Sequence, residues 1–324
     1  MVRTIKAAAG VALALAVTTA GGAALAQEVS VTPLGSHDGE FCLLDRAMVF
    51  EDPDGTRILY DAGRTVAGPD DPRLGAIDVV LVSHMHGDHV GDRHIPAPNA
   101  GECGGPDFSE VVLPTTNSVA IAHAKGATIV TGSEMPKFFG AKLASIGGDP
   151  SKSVLVRFGA KRQIGGVTIT TVPAVHSNGI AGAMIGGELG EHLETAGLTA
   201  YAGPPTGYVL TFSNGLVVYL SGDTGVTAEQ KTVVADQYGA ELVVMNIGDV
   251  FTTGPSEAAY VINDLIKPAS VIPSHANEVA TSGGAVIEGT KTDSFMKAVE
   301  APVHLPLSGR TMRFDGDGAC LSGC

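Results

Sequence analysis

The sequence predicts an α/β protein in which two β-sheets pack together and helices cover their outer faces. Three observations predict it. Short apolar runs recur along the chain and several are joined as hairpins; helical stretches alternate with them from residue 119 onward; and four of the runs end in His or Asp. Strands that end in polar side chains deliver them to one sheet edge, where α/β proteins commonly build their sites. No linker, internal repeat or low-complexity stretch divides residues 27–324, so they are read as one domain.

Residues 1–26 read as a secretory signal peptide: Arg3 and Lys6 form the positive start, 7–17 the apolar core, and Ala24-Leu25-Ala26 the cleavage site. Alanine, threonine and glycine make this stretch too weakly apolar for a membrane anchor, and no flanking charge stops transfer after it. The first β runs are 29–34, 47–51 and 57–60, the last two joined by the turn Asp52-Pro53-Asp54-Gly55. The run 77–82 follows. Beyond it, 119–125 reads as helix, 127–130 as strand, 134–145 as helix, and 154–158 and 167–175 as strands.

The second half has the same style. Runs 208–212 and 216–220 flank Ser213-Asn214-Gly215, the expected hairpin chemistry. A helix at 227–238 and a strand at 241–246 come next. Gly254-Pro255-Ser256-Glu257 opens another helix, with proline at its first position. A strand at 269–273, a helix at 294–299 and two late β runs close the chain. Segments 91–110 and 178–206, rich in Gly, Pro and Ala, read as irregular. Each follows a candidate ligand loop, so they are candidates to wall or cover a site, or equally to be exposed insertions.

Composition bounds the partners. Hydrophobic residues make up 44% of the chain and charged residues 17%, enough for a large core. Removing Arg3 and Lys6 with the leader shifts the formal charge from −14 to −16, which repels phosphate backbones and anionic lipid. Nucleic acid and stable membrane insertion are therefore not expected, and a small-molecule substrate is. Cys42, Cys103, Cys320 and Cys324 allow three pairings in an exported protein; the preferred one joins Cys42 to Cys103 and Cys320 to Cys324.

The most informative stretch is Ser83-His84-Met85-His86-Gly87-Asp88-His89, directly after the apolar run 77–82. Neutral imidazole and ionised carboxylate at this density suit a zinc-like ion. His84 and His86 lie two apart, so an extended backbone turns both to one side, and Gly87 lets Asp88 and His89 face a second ion. Three further strands deliver His176, Asp223 and His275. A single histidine after a strand is more often a packed surface residue, but four such strands argue for a metal centre.

At this point the chain resembles the metallo-β-lactamase-fold hydrolase superfamily, whose His-x-His-x-Asp-His pattern is complete as His84, His86, Asp88 and His89. It looks closest to the branch of metal-dependent hydrolases related to the ascorbate-phosphate lactonases. The segments that carry this are Val175-His176-Ser177, Ser221-Gly222-Asp223-Thr224, 246–255 and Val271-Ile272-Pro273-Ser274-His275. The resemblance implies an αββα four-layer sandwich of two mixed sheets flanked by helices. It also implies His84, His86 and His176 on one metal, Asp88, His89 and His275 on another, and Asp223 bridging. The implied activity is a hydrolase acting through a metal-bridging hydroxide on an ester, lactone or similar bond. Asp88 is the candidate catalytic group, orienting that hydroxide or taking its proton. Zinc is the default ion, with manganese and iron next.

Two other readings share these residues: a di-iron redox enzyme on the same fold, and a metal-binding protein without chemistry. The superfamily's di-iron reductases usually carry glutamate at the place of His86, which favours hydrolysis. Asp249 and His37 are the remaining candidates for a substrate contact or a supporting role beside the metals. His94, His123, His192 and His304 read as surface or packing residues.

Overall fold

Strands that are apolar on both faces cannot leave either face to water, so they require a layer above and a layer below. A computed structural model, which describes Met1, Val2 and residues 27–324, meets that requirement. The signal-peptide reading of residues 1–26 falls on 3–26, outside the described residues. Among the described residues no helix is long and apolar enough to cross a membrane.

The first sheet takes strands β1 (Val29–Pro33), β2 (Met48–Glu51), β3 (Arg57–Tyr60), β4 (Val79–Leu81), β5 (Thr128–Thr131) and β6 (Ser153–Leu155). The second takes β7 (Lys161–Ile164), β8 (Val167–Pro173), β9 (Thr206–Thr211), β10 (Val217–Leu220), β11 (Leu242–Asn246) and β12 (Ser270–Ser274). Two C-terminal strands, β13 (Met312–Phe314) and β14 (Cys320–Ser322), return to the first sheet, whose order is β6-β5-β4-β3-β2-β1-β13-β14. Both sheets are mixed: β1 and β2 pair antiparallel while β3, β4 and β5 are parallel, and β10, β11 and β12 run parallel beside an antiparallel half.

Strand periodicity sorts the core into three layers. Val79 and Leu81 point between the sheets, where they meet Ile169, Tyr208, Leu210, Leu220 and Val244. Val80 points the other way, toward Val119 and Ile121 of the helix Asn117–Lys125 and Phe139 of Met135–Ser145. On the far side, Tyr219, Val243 and Met245 of the second sheet pack with Ala258, Ile262 and Phe295 from the helical segments Pro255–Tyr260, Val261–Ile266 and Lys291–Ala298. The result is helix, sheet, sheet, helix, as expected.

Four elements differ from the sequence reading. The strand read at 154–158 shrinks to β6, and the polar run Lys161–Ile164 forms an edge strand that hydrophobic pattern does not reveal. The helix read at 227–238 has Gln230–Ala235 wound as a π-helix. Segment 178–206 is not irregular: it holds helices Gly182–Ile185 and Gly187–Thr195. Its glycines serve contact rather than breakage, because a Cβ on Gly182 would lie 2.2 Å from the Gly190 carbonyl oxygen, and one on Gly190 2.4 Å from that of Gly182.

The disulfides join Cys42 to Cys103 and Cys320 to Cys324. The first closes a long loop, with a sequence separation of 61, and ties the segment before β2 to the 91–110 insertion. Loop-closure entropy makes it the one that matters for stability. The double variant Cys42→Ser/Cys103→Ser is expected to lose about 2–4 kcal/mol in urea unfolding. Cys320→Ser/Cys324→Ser, which opens a separation of only 4, is expected to lose clearly less.

Candidate metal centre

The ligand-bearing residues all follow strand ends on one edge of the sandwich. β4 leads into Ser83 and His84, β8 into His176, β10 into Asp223 and β12 into His275. The residues after β4 turn into the short helix Gly87–Val90, which carries Asp88 and His89. Asn178 pins this loop, accepting from the Met85 backbone N–H at 2.8 Å while its amide donates to the Gly203 carbonyl at 2.9 Å.

Two groups of donor atoms result, each drawn within 4.8 Å: His84, His86, His176 and Asp223 in one, Asp88, His89 and His275 in the other. Asp223 stands between them. Its Oδ2 lies 3.7 Å from His84 Nε2, 3.7 Å from His176 Nε2, 3.3 Å from His89 Nε2 and 3.0 Å from His275 Nε2. Asp88 Oδ2 is 3.8 Å from His89 Nε2 and 3.7 Å from His275 Nε2. All seven ligand candidates are thus brought together. His304, Cys320 and Cys324 also approach one another, but their sulfurs are joined as a disulfide and offer no thiolate.

The donor set fits divalent ions. His84 Nε2 and His86 Nδ1 face each other at 2.9 Å, a separation at which two ring nitrogens must share a proton or a cation. Asp223 Oδ1 is buried and has no hydrogen-bond partner in the described structure, a costly condition for a carboxylate unless it meets positive charge. The outer nitrogens of three histidines are held by protein groups, as ligands require. Ser83 Oγ, donating to Asp61, accepts from His84 Nδ1 at 3.0 Å; Asp61 Oδ2 accepts from His89 Nδ1 at 2.8 Å; Ser177 Oγ lies 3.2 Å from His86 Nε2. Those contacts leave the inner nitrogens of His84 and His89 as lone pairs.

Charge states agree with this picture. Burial, reinforced by the neighbouring His89, pushes His84 well below the usual histidine range, and burial with His176 nearby lowers His86. Burial alone would raise Asp223, but His89 and His275 hold it well below the usual carboxylate range; Arg46 and His89 do the same for Asp88. Metal ligands must be deprotonated, and these four shifts all run in that direction. For His89, burial is outweighed by Asp223 and Asp61, which pull it up to about 10. The Arg46 Nη1 donor 2.8 Å from His89 Nε2 nevertheless requires the lone pair there, since two N–H donors do not face each other so closely. The geometry decides for the unprotonated nitrogen.

His275 is placed by strain and by a glycine. Its φ of 52° lies in the left-handed region, and a Cβ on Gly248 would come within 2.3 Å of its carbonyl oxygen and 2.5 Å of its Nδ1. Gly248→Ala is therefore expected to displace His275 and to weaken metal binding by about 10–100-fold, read by zinc titration, with the fold retained in circular dichroism.

Two candidate contacts are not made. Asp249 is exposed and does not line the cleft above the metal centre; the chain turns there, and Phe251 two residues later lines it instead. His37 lies 3.1 Å from Ser36 Oγ and 3.1 Å from the Gly101 carbonyl oxygen, which ties it to the 91–110 insertion rather than to the centre. The cleft, about 520 Å³, takes none of its lining from 91–110 or 178–206, so neither segment walls it. Leu43, Leu44 and Phe251 are the apolar part of its lining, and Arg64 and Asn277 line it as well.

Two charged residues that contact the ligand side chains were missed by sequence reasoning. Asp61, 1% exposed, accepts from the Ser83 N–H at 2.8 Å and Oγ at 2.7 Å as well as from His89. It follows β3 as Asp223 follows β10, so the strand-end rule could have found it. Arg46 precedes a strand, and nothing in its surroundings signals a role.

Residues 56–276, spanning the ligand segments from Asp61 to His275, match the β-lactamase superfamily domain. The chain belongs to the β-lactamase superfamily. Within that superfamily it is 29% identical over 271 residues to a UPF0173 metal-dependent hydrolase of Polynucleobacter asymbioticus, covering 81% of each chain. It is 30% identical over 230 residues to one of Roseiflexus castenholzii, covering 69% of this chain and 76% of that relative. The match to a relative in Cupriavidus metallidurans, 29% identical, spans 62% of this chain and only 58% of that protein's length. Among solved structures, Igni18, a metallo hydrolase of Ignicoccus hospitalis, superposes with a TM-score of 0.55 at 20% identity over 89% of this chain and 99% of its own. CmlA, a diiron β-hydroxylase of Streptomyces venezuelae, does so at 0.54 and 13% identity over 89% of this chain and 54% of its own. The structures show the fold alone, and the sequence relatives named here are metal-dependent hydrolases by name.

Proposed function

We propose that this superfamily member is an exported hydrolase that holds two divalent ions, zinc by default, and cleaves an ester or lactone in a small, uncharged, partly apolar substrate. The observation that carries the reading is Asp223 Oδ2, within 3.0–3.7 Å of ring nitrogens from both donor groups. His84, His86 and His176 would hold one ion and Asp88, His89 and His275 the other, with Asp223 shared. When bound, such ions supply Lewis acidity and a water acidic enough to attack near neutral pH.

The protein's own groups set the rest. Asp88 lines the cleft and is kept ionised by Arg46, so it accepts a hydrogen bond from the attacking water and orients it rather than keeping a proton. Leu43, Leu44 and Phe251 give the substrate's apolar part a surface; Phe251 is 68% exposed and free to be covered. Arg64, the cation at the cleft, is spent on Asp92 through bonds of 2.7 and 3.0 Å. That argues against phosphorylated substrates, so the resemblance to the ascorbate-phosphate lactonases is not extended to substrate. The disulfides and the leader-like residues 1–26 support export to the periplasm or beyond.

The test is elemental analysis of protein from its native compartment, followed by a panel of neutral esters and lactones, phosphodiesters and β-lactams with the metal restored. The reading expects two equivalents of metal, turnover of neutral esters or lactones, and an N-terminus at Gln27. Metal-loaded protein that cleaves no member of the panel would overturn it, as would iron with a visible absorption band and no hydrolysis.

A further inference from the structure

Arg46 is a side chain at the centre whose presence the ligand chemistry does not call for. Its side chain is 2% exposed, so the guanidinium has no water to turn to. Nε donates to the Leu44 carbonyl at 3.2 Å and Nη2 to Asn277 Oδ1 at 3.3 Å. Nη1 donates to Asp88 Oδ2 and, at 2.8 Å, to His89 Nε2. These are the atoms of the second donor group: Asp88 Oδ2 faces His275 Nε2 at 3.7 Å, and His89 Nε2 faces Asp223 Oδ2 at 3.3 Å.

A ring nitrogen has a single lone pair in the plane of the ring. Asp61 accepts a hydrogen bond from Nδ1–H, which leaves the lone pair on Nε2, and Arg46 Nη1 donates to that lone pair. The lone pair cannot serve Arg46 and a metal ion at once. Arg46 is also permanently charged, so it repels a dication brought to the same atoms and cannot escape by losing a proton. The first donor group has no such tenant. Among the described residues, His84, His86 and His176 make their hydrogen bonds to one another and to Ser83 and Ser177, with no Arg or Lys.

We propose that the Arg46 guanidinium and a divalent ion compete for Asp88 and His89, so that the His84–His86–His176 position fills first and the second position binds more weakly. Arg46 acts here as a positioning residue. In the metal-free protein it holds Asp88 and His89 in place and neutralises part of the buried carboxylate charge. On loading, Nη1 gives up His89 while Nε and Nη2 keep Leu44 and Asn277. The inference rests on the two-ion reading of the site.

The experiment titrates metal-stripped protein with Zn2+ against a competing chelator, with Co2+ absorption as a parallel readout, in wild type, Arg46→Gln and Arg46→Lys. Wild type is expected to bind two equivalents in steps at least tenfold apart. Arg46→Gln, which keeps a donor for Asp88 without the charge, is expected to tighten the second step at least tenfold and leave the first unchanged. Arg46→Lys, still cationic, is expected to remain near wild type. A purely supporting role would move the second step the other way, so a weakened or unchanged second step in Arg46→Gln overturns the proposal. Two equal steps in wild type overturn it too, with two-ion binding intact. A single equivalent in all three proteins instead overturns the two-ion reading and takes the proposal with it.

Discussion

Replacing Asp223 by alanine is expected to abolish hydrolysis, by about 10³-fold or more, and to remove metal from both positions at once. The expectation follows from one atom. Asp223 Oδ2 is the only carboxylate oxygen within 4 Å of His84, His89, His176 and His275 together among the described residues. Losing it strips negative charge from both donor groups, whereas losing His176 or His275 touches one. Ion-assisted stabilisation of a developing charge contributes several kcal/mol, and each 1.36 kcal/mol is tenfold in rate. Asp223→Asn separates charge from shape: it keeps the volume and one oxygen, yet it should also bind metal poorly, because a neutral amide is a weak ligand beside a carboxylate. The measurements are metal equivalents after dialysis and turnover of whichever ester or lactone the panel identifies. Asp223→Ala that keeps two equivalents of zinc would show that the oxygen's central position is incidental. Asp223 is 3% exposed, so folding must be checked by circular dichroism before either result is read.

The contrast between what could and could not be read in advance has a physical basis. His84, His86, Asp88 and His89 are legible because they sit close in sequence, and His176, Asp223 and His275 because each ends an apolar strand. Strand ends converge by geometry, so locality in sequence stands in for locality in space. Asp61 obeys the same rule, directly after β3. Arg46 obeys no local rule: its partners Asp88, His89 and Asn277 lie 42, 43 and 231 positions away. The sandwich itself was legible from short apolar runs, several joined as hairpins, alternating with helical stretches. The helices of 178–206 were not, since glycine counts against a helix by propensity. Gly182 and Gly190 are used instead for backbone contact, which only the folded chain reveals.

The second large effect is expected at Asp61, a residue that touches no ion. Its carboxylate takes three donors: the Ser83 N–H, the Ser83 hydroxyl and His89 Nδ1, all within 2.8 Å. Each of these fixes something at the centre. The bond from His89 places its proton on Nδ1 and frees Nε2; the bond from the Ser83 hydroxyl turns that oxygen's lone pairs toward His84 Nδ1 at 3.0 Å, which frees His84 Nε2 in turn. One buried carboxylate therefore sets the tautomer of a ligand in each donor group. Asp61→Asn cannot reproduce this, because an amide offers one oxygen where the carboxylate offers two, and its NH2 would face a donor. The expected result is a 10–100-fold loss of affinity at both positions, the range seen when groups that orient metal-bound histidines are removed. Asp61→Ala should lose the same affinity and also stability, about 1–3 kcal/mol for each buried donor left without a partner. Zinc titration and urea unfolding separate the two costs. If Asp61→Asn binds both ions as wild type does, tautomer control by this carboxylate is excluded, and the histidines must be oriented by packing alone.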